Sequence, residues 1–235
     1  SLITSLSSMQ KLAIFDIGGT LFRYSLLNEL VIELVSSKIL PAKAPDKFVR
    51  AREKWLNCQG SYEDYIAEVV IAFESNLRGV PQALFRQSAK RVIARHNRRV
   101  YCYTRDLIKF LRAKNYFLLA ISNSPLEIVE PFCSGYGFNK VYGRVYETDK
   151  NKRYTGATLY LDLISDKAKI LKRAVAKESL TLKNSIGIGD SEADIPFLKL
   201  VANPICFNHN KKLYQTAKRN NWKVVVERKD VVYVM

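Results

Sequence analysis

The chain has 235 residues, of which 48% are hydrophobic and 26% charged, so it is long enough for one globular core with a smaller insert. Its net charge of +16 is spread along the whole chain, which favours general attraction of anions over a localised nucleic-acid site. No apolar run approaches the roughly 18 residues of a membrane span, and the N-terminus lacks the pattern of a secretory signal. The four cysteines form no C-x-x-C pair, which disfavours zinc and disulfide frameworks and predicts a reduced, cytoplasmic protein.

The first predicted element is a buried strand over residues 11–16, because its short apolar run ends in the turn-forming segment Asp-Ile-Gly-Gly-Thr. Residues 1–8 precede it and are interpreted as an N-terminal extension. After this strand come four stretches of helical periodicity, separated by Pro and Gly turns. The sequence therefore predicts a helical domain over residues 23–102, inserted into a core domain formed by residues 9–22 and 103–235.

Beyond residue 103 the pattern alternates between helix and strand, with WKVVVE expected to be the last strand. This alternation predicts an α/β fold, in which helices cover both faces of a doubly wound parallel sheet. Ligands of such sheets bind at the carboxyl ends of the strands. The segment 143–156 is expected to form a short hairpin beside that edge.

Polar side chains that can perform phosphoryl chemistry follow the ends of three predicted strands. Asp16, Ser122 and Asp190 lie just past strands, Asp194 follows shortly after, and Lys167 opens a helix. Carboxylates and water are the ligands that Mg²⁺ prefers, while a lysine and a hydroxyl complement phosphate oxygens. A strand-end aspartate can also form an aspartyl-phosphate. The residues alone therefore predict phosphoryl transfer with a metal clamp.

Four segments, in this order, resemble the motifs of the haloacid dehalogenase (HAD) superfamily: IFDIGGTLF, AISNSP, DKAKIL and GIGDSEADIPFL. The second and fourth segments are most similar to the phosphoserine-phosphatase-like branch, and the helical insert lies where that branch places its C1 cap. The resemblance implies a Rossmann-like core and a Mg²⁺-dependent phosphatase or phosphotransferase for a small phosphorylated metabolite. The even spread of charge predicts no specific nucleic-acid partner, and the lack of a long apolar run predicts no membrane partner. A monomer or a homodimer is expected.

The resemblance also assigns expected roles to individual residues. Asp16 is expected to be the nucleophile, and Lys167 is expected to neutralise it and to hold the phosphate. The phosphate-binding set is completed by three further positions, Ser122, Asn123 and Gly19. The expected metal ligands are Asp16, the carbonyl of Gly18, Asp190 and Asp194, the last acting through water or by orienting Lys167.

The first motif departs from the family pattern at Gly18, where HAD phosphatases carry the aspartate that acts as general acid and base. Because the backbone carbonyl binds the metal, the metal site can survive this change, whereas proton transfer suffers. A positioned acid or base contributes about 10² to 10⁴ in rate. Three interpretations stay open: a substrate with a good leaving group, a carboxylate supplied by the cap, or an impaired protein that binds phosphorylated ligands or a partner.

A second departure concerns the substrate. Phosphoserine phosphatases carry a glutamate nine residues after the nucleophile, where it holds the amine of the substrate. This chain has Ser25 at that position, so the sequence argues against phosphoserine.

Overall fold

The structure is a computed structural model that describes residues 9–235, and the expected extension over residues 1–8 lies outside the described residues. Strands of the described part form one eight-stranded sheet in the order β4-β3-β2-β1-β5-β6-β7-β8. Their bounds are β1 Gln10–Asp16, β2 Phe117–Pro125, β3 Lys140–Thr148, β4 Tyr154–Leu159, β5 Leu180–Gly189, β6 Asn203–Phe207, β7 Lys223–Arg228 and β8 Val231–Val234.

The centre of the sheet is parallel, with β1 between β2 and β5. Leu12, Ala13, Ile14 and Phe15 of β1 are fully buried, which explains why this strand is apolar on both faces rather than alternating. The doubly wound α/β fold predicted from the sequence is thereby confirmed. Both edges of the sheet, however, are antiparallel pairs, β3 with β4 and β7 with β8.

The prediction that WKVVVE is the last strand was wrong, because β8 follows it. A two-residue turn, Lys229 and Asp230, separates β7 from β8, and Lys229 adopts a positive φ of 55°. Such hairpin turns are normally indicated by Asn or Gly. The turn lacks those residues and the side chains of β8 are exposed, so neither turn chemistry nor an apolar pattern indicates this last strand.

Helices cover both faces of the sheet. The insert contributes α1 Leu26–Ser36, α2 Asp46–Leu56, α3 Tyr62–Leu77 and α4 Gln82–His96. The rest of the described chain contributes α5 Cys102–Ala113, α6 Leu126–Ser134, α7 Leu161–Ile164, α8 Lys167–Lys177, α9 Ile195–Leu198 and α10 Lys211–Arg219, with a 3₁₀ turn at Glu192–Asp194. No helix within residues 9–235 is long and apolar enough to cross a membrane.

Local capping explains where the helices that matter for the site begin. Ser61 and Asp64 form a reciprocal capping box that starts α3, the side chain of each accepting the backbone N–H of the other. Asp166 caps α8 by accepting the N–H groups of Ala168 and Lys169. These caps fix the first turns of both helices, which face the carboxyl ends of the strands.

The chain passes between the core and the insert twice, and we call these two linking segments the chain crossings. Glu227 of β7 holds them together. Its buried carboxylate forms an ion pair with Arg23 and accepts the N–H groups of Cys102 and Tyr103 at the start of α5. Arg23 Nε also donates to the carbonyl of Val100 across 2.8 Å. A carboxylate at a helix N-terminus interacts favourably with the helix dipole, so this contact anchors both crossings to the sheet.

The predicted hairpin at residues 143–156 is confirmed as part of β3 and β4, and it is bonded to the insert. The N–H of Gly79 donates to the Tyr154 carbonyl at 2.8 Å, and the N–H of Tyr154 donates back to Val80 at 3.0 Å. Nearby, Glu74 of α3 accepts bonds from three donors, Arg144, Tyr146 and Thr158. The α3–α4 side of the insert is therefore continuous with the edge of the sheet.

Candidate active site

The loop after β1 positions Asp16, and hydrogen bonds between its own backbone groups hold the loop together. The Ile17 carbonyl accepts the N–H groups of Leu21 and Phe22, and the N–H of Gly19 donates to the carbonyls of Phe22 and Tyr24. A Cβ on Gly19 would lie 2.1 Å from Asp190 Oδ2, and its φ is +80°, so both space and conformation require glycine. Because its N–H is already bonded within the loop, Gly19 shapes this loop and offers no free amide to a phosphate.

Lys167, the first residue of α8, lies between two carboxylates. Its Nζ is 2.7 Å from Asp16 Oδ1 and 2.5 Å from Asp194 Oδ1, and all three side chains are buried. Burial by itself lowers the pKa of the ammonium group, but Asp16 and Asp194 reverse this effect and hold the pKa above its usual value. Lys167 is therefore a permanent cation in contact with Asp16.

Asp190 and Asp194 follow the carboxyl end of β5. Asp194 Oδ2 accepts the N–H groups of Asp190 at 2.9 Å and Ser191 at 3.1 Å, while its Oδ1 accepts from Lys167. Both oxygens of Asp194 are thus bonded to the protein, which suits a residue that orients Lys167. Asp190 accepts a 3.2 Å bond from Thr20 Oγ1 and keeps an oxygen for another ligand.

Negative charge in this cluster exceeds the positive charge. Oxygens of Asp16, Asp190 and Asp194 lie within 4.8 Å of one another, and only Lys167 forms ion pairs with them among the described residues. Burial, together with the charge of Asp194, raises the pKa of Asp16 to about 7 in spite of Lys167. Burial and the neighbouring Asp16 also hold the pKa of Asp190 well above its usual range. Hard oxygen ligands with uncompensated charge fit a divalent cation such as Mg²⁺.

Ser122 and Asn123 lie at the carboxyl end of β2, facing this cluster. Ser122 Oγ accepts the N–H of Ser124 at 3.1 Å, which leaves the hydroxyl hydrogen available to an incoming oxygen. Ser122 and Asn123 border a cavity of about 60 Å³, together with Asp16, Gly18 and Lys167. The structure therefore brings the sequence-predicted residues to one edge of the sheet, with Gly19 behind the cavity wall.

The insert supplies a wall of the cavity, and the sequence did not indicate which residues of the insert would form it. Tyr62, Glu63, Ile66 and Val70 of α3 border the space above Asp16. Their spacing shows that α3 is amphipathic, but Tyr62 and Glu63 lie in the first turn after a Gly-Ser cap. Sequence periodicity alone does not indicate that this turn faces the core.

A second, larger cavity of about 310 Å³ adjoins the first. Four aromatic side chains border it, and so do polar residues of the loop after β6; the aromatic set is Tyr24, Trp55, Tyr62 and Tyr101. Asp190 and Tyr62 belong to the walls of both cavities. A phosphate beside Asp16 would thus have an aromatic compartment next to it.

Comparisons with known proteins point to one family. The model of the haloacid dehalogenase-like hydrolases matches residues 13–199. The histidinol-phosphatase of Neisseria meningitidis serogroup C (strain 8013) is 30% identical over 111 residues, which are 46% of this chain and 50% of that protein. The chain thus matches about half the length of this curated relative.

Solved structures with low sequence identity share the fold. A protein of unknown function from Bordetella pertussis Tohama I superimposes with a TM-score of 0.68 at 19% identity, covering 92% of this chain and 98% of its own. A phospho-aspartyl intermediate analogue of phosphoserine phosphatase gives a TM-score of 0.64 at 18% identity, covering 94% and 95%.

Proposed function

Because the chain belongs to the haloacid dehalogenase-like hydrolase family, we propose that it is a Mg²⁺-dependent phosphatase that forms an aspartyl-phosphate on Asp16. One observation carries the proposal: a buried carboxylate at the end of β1 contacts Lys167 and shares its site with Asp190 and Asp194. The substrate is a small phosphorylated metabolite, and the protein acts in the cytoplasm as a monomer or a homodimer. Neither nucleic acid nor a membrane is a partner.

The chain's own residues prepare the attack on phosphorus. Lys167 bonds Asp16 Oδ1, so Oδ2 is the oxygen left to attack. The Ser122 hydroxyl, the Asn123 amide and Lys167 would hold the phosphate oxygens in line with that attack. Positioning and charge neutralisation carry most of phosphoryl transfer, and these residues provide both.

The metal would be held by Asp16, Asp190 and the carbonyl of Gly18, with Asp194 acting through water or through Lys167. When bound, it would neutralise the charge that accumulates on the transferring phosphoryl group. Loss of the side chain at position 18 leaves the carbonyl in place. Hydrolysis is nevertheless altered, because the acid and base must come from another group.

Asp190→Ala is expected to remove Mg²⁺ binding, since it deletes the carboxylate that keeps an oxygen free for the ion. Calorimetric titration of the wild type should show one Mg²⁺ site, and saturating Mg²⁺ should raise its melting temperature. Both effects should disappear in the variant. Glu192→Gln is the matched control, because the Glu192 carboxylate bonds Asn210 and Lys212 instead. Retained Mg²⁺ binding in Asp190→Ala would refute this metal site.

We also propose that residues 23–102 act as a cap that closes over the site. This rests on the wall that α3 contributes to the cavity. The cavity of about 60 Å³ beside Asp16 suits the phosphate group, and movement of the cap would control entry of the substrate. The aromatic cavity would then receive the organic part of the substrate.

The aromatic cavity favours a substrate with a planar ring, such as the imidazole of histidinol phosphate. Aromatic walls recognise flat or cationic groups, and such a group would lie beside the phosphate because Asp190 borders both cavities. The histidinol-phosphatase relative is consistent with this class. Phosphoserine is a poorer fit, because Ser25, which borders the cavity, is the N-cap of α1 and carries no charge for an amine.

Tyr24→Leu is expected to raise the KM for histidinol phosphate between about 2-fold and 10-fold, the effect of losing one aromatic contact. The KM for glycerol phosphate, which lacks a ring, should stay unchanged. Tyr160→Leu is the matched control, because Tyr160 is 72% exposed and borders neither of the two cavities. Steady-state kinetics on both substrates measure this, and an equal rise for both would exclude a ring-binding role for Tyr24.

Phosphate release from a panel of phosphorylated metabolites, with and without Mg²⁺, tests the proposed function as a whole. Mg²⁺-dependent turnover of at least one compound is expected. The alternative function is ligand binding without turnover, and Gly18 is the observation that favours it. Saturable binding of phosphorylated compounds by a folded protein that releases no phosphate would establish that alternative.

A further inference from the structure

A carboxylate of the insert faces the site where the core lacks one. Glu63 is the second residue of α3, and its half-buried side chain borders the cavity with Asp16 and Gly18. Glutamate in a first helical turn is favourable at the surface too, because of the helix dipole. Asp64, the residue after Glu63, is the exposed acid in the first turn of α3. Glu63 instead turns toward the cavity, so the dipole alone does not account for its direction.

The surroundings of Glu63 suit a group that exchanges a proton. Burial raises the pKa of its carboxyl above the usual value, while a hydrogen bond from Ser191 opposes the shift. The negative charge of Asp194 raises the pKa further, and Lys167 lowers it. The carboxyl group of Glu63 therefore keeps its proton to a higher pH than that of an exposed glutamate does.

Gly18 is not demanded by the backbone. A Cβ at this position would meet the Tyr24 carbonyl at 3.4 Å and Ser25 Cα at 3.9 Å, which are ordinary contacts, and its φ is not positive. The backbone at position 18 therefore accepts a residue with a Cβ, and glycine is not required there for steric reasons.

Among the described residues, three carboxylates border the cavity: Asp16, Glu63 and Asp190. Asp16 contacts Lys167, and Asp190 accepts from Thr20 on the core side. Glu63 borders the same cavity from α3 of the insert, whereas Asp16 borders it from the end of β1. A group leaving phosphorus in line with attack by Asp16 departs away from Asp16, toward the insert.

We propose that Glu63 is the general acid and base of this phosphatase, in place of the side chain absent at position 18; this rests on the proposed function. As Asp16 Oδ2 bonds to phosphorus, the ester P–O bond breaks and its electron pair goes to the leaving oxygen, which takes the proton of Glu63. The Glu63 carboxylate then accepts a proton from water as the water oxygen attacks phosphorus. The bond to Asp16 breaks, its electron pair returns to the Asp16 carboxylate, and inorganic phosphate and protonated Glu63 remain.

The test is Glu63→Gln, assayed with nitrophenyl phosphate and with an alkyl phosphate that the wild type hydrolyses. Nitrophenolate leaves without a proton, so its first-turnover burst should stay within about 3-fold of the wild type, whereas its steady release should fall by roughly 10² because water lacks a base. Acid-quenched protein should accumulate the aspartyl-phosphate. With the alkyl phosphate, even formation of the aspartyl-phosphate should slow by about 10² or more.

Glu68→Gln on the same helix is the control, because Glu68 borders a different cleft, and it should behave as the wild type. Equal slowing of the nitrophenolate burst and of alkyl phosphate turnover would overturn the proposal, since it would indicate a damaged cap. Unchanged kinetics in Glu63→Gln would overturn it as well, while wild-type turnover would keep the proposed phosphatase function intact. A wild type with no turnover on any phosphate would instead refute the phosphatase function itself.

Discussion

Asp16→Asn is expected to reduce phosphate release by at least roughly 10³-fold, the scale of loss when a nucleophile is removed. An amide oxygen is a poor nucleophile, and the substitution also removes one of the charges that would hold Mg²⁺. The fold should survive, because the change relieves repulsion among buried carboxylates whose pKa values are already raised. Phosphate release, a melting curve and acid-quench labelling of the protein measure rate, fold and covalent intermediate together.

Asp162→Asn makes the same chemical change at an exposed position of α7 and should leave all three measurements unaltered. Label on the Asp16→Asn protein, or turnover near the wild-type rate, would place the nucleophile elsewhere. A variant that is inactive because it is unfolded would be recognised from its melting curve. In that case Asp16→Glu, which keeps the charge but moves the carboxylate by one methylene, provides the second test.

Gly18→Asp is expected to have the second largest effect on alkyl phosphate turnover. We expect this effect only in the protein that lacks Glu63. In the Glu63→Gln background it should restore alkyl phosphate turnover by about 10², because the new carboxylate supplies acid and base from the core. The backbone accepts a Cβ at this position, with the Tyr24 carbonyl as its nearest neighbour at 3.4 Å. In the wild type the gain should be small, since one acid–base group already serves the site.

Gly18→Asn in the same background is the matched control, because it fills the same space without a titratable carboxyl group. It should give no recovery. Two results together would show that position 18 limits proton transfer and that the insert supplies no acid. Gly18→Asp would raise alkyl phosphate turnover of the wild type by about 10², and Glu63→Gln would leave that turnover unchanged.

The sequence was sufficient to predict that the polar residues would meet. Asp16, Ser122 and Asp190 each end an apolar run, and the ends of neighbouring parallel strands lie at the same edge of a sheet. The four helices of the insert were also predictable, because Pro and Gly turns separate them and their periodicity is clear. In these cases the local sequence pattern and the topology of the whole sheet predict the same structure.

What the sequence did not indicate depends on how separate elements pack. Glu63 looks like an ordinary helix-starting acid until α3 is laid over the end of β1. The aromatic cavity joins Tyr24 and Tyr101 at the chain crossings to Trp55 in the insert, across long sequence separations. The hydrogen bonding of Gly19 depends on the closed loop geometry, which motif spacing does not contain.

The hairpin of β3 and β4 limits how the insert can be exchanged between related proteins. It belongs to the core by connectivity, yet it supplies the backbone partners of residues 79–82 and the three donors to Glu74. A chimaera that received residues 23–102 alone would leave those carbonyls, amides and the carboxylate without their partners, at about 1–3 kcal/mol for each group that water does not reach. The smallest transplantable unit is therefore discontinuous, and it includes the segment from Arg144 to Leu159 along with the helices.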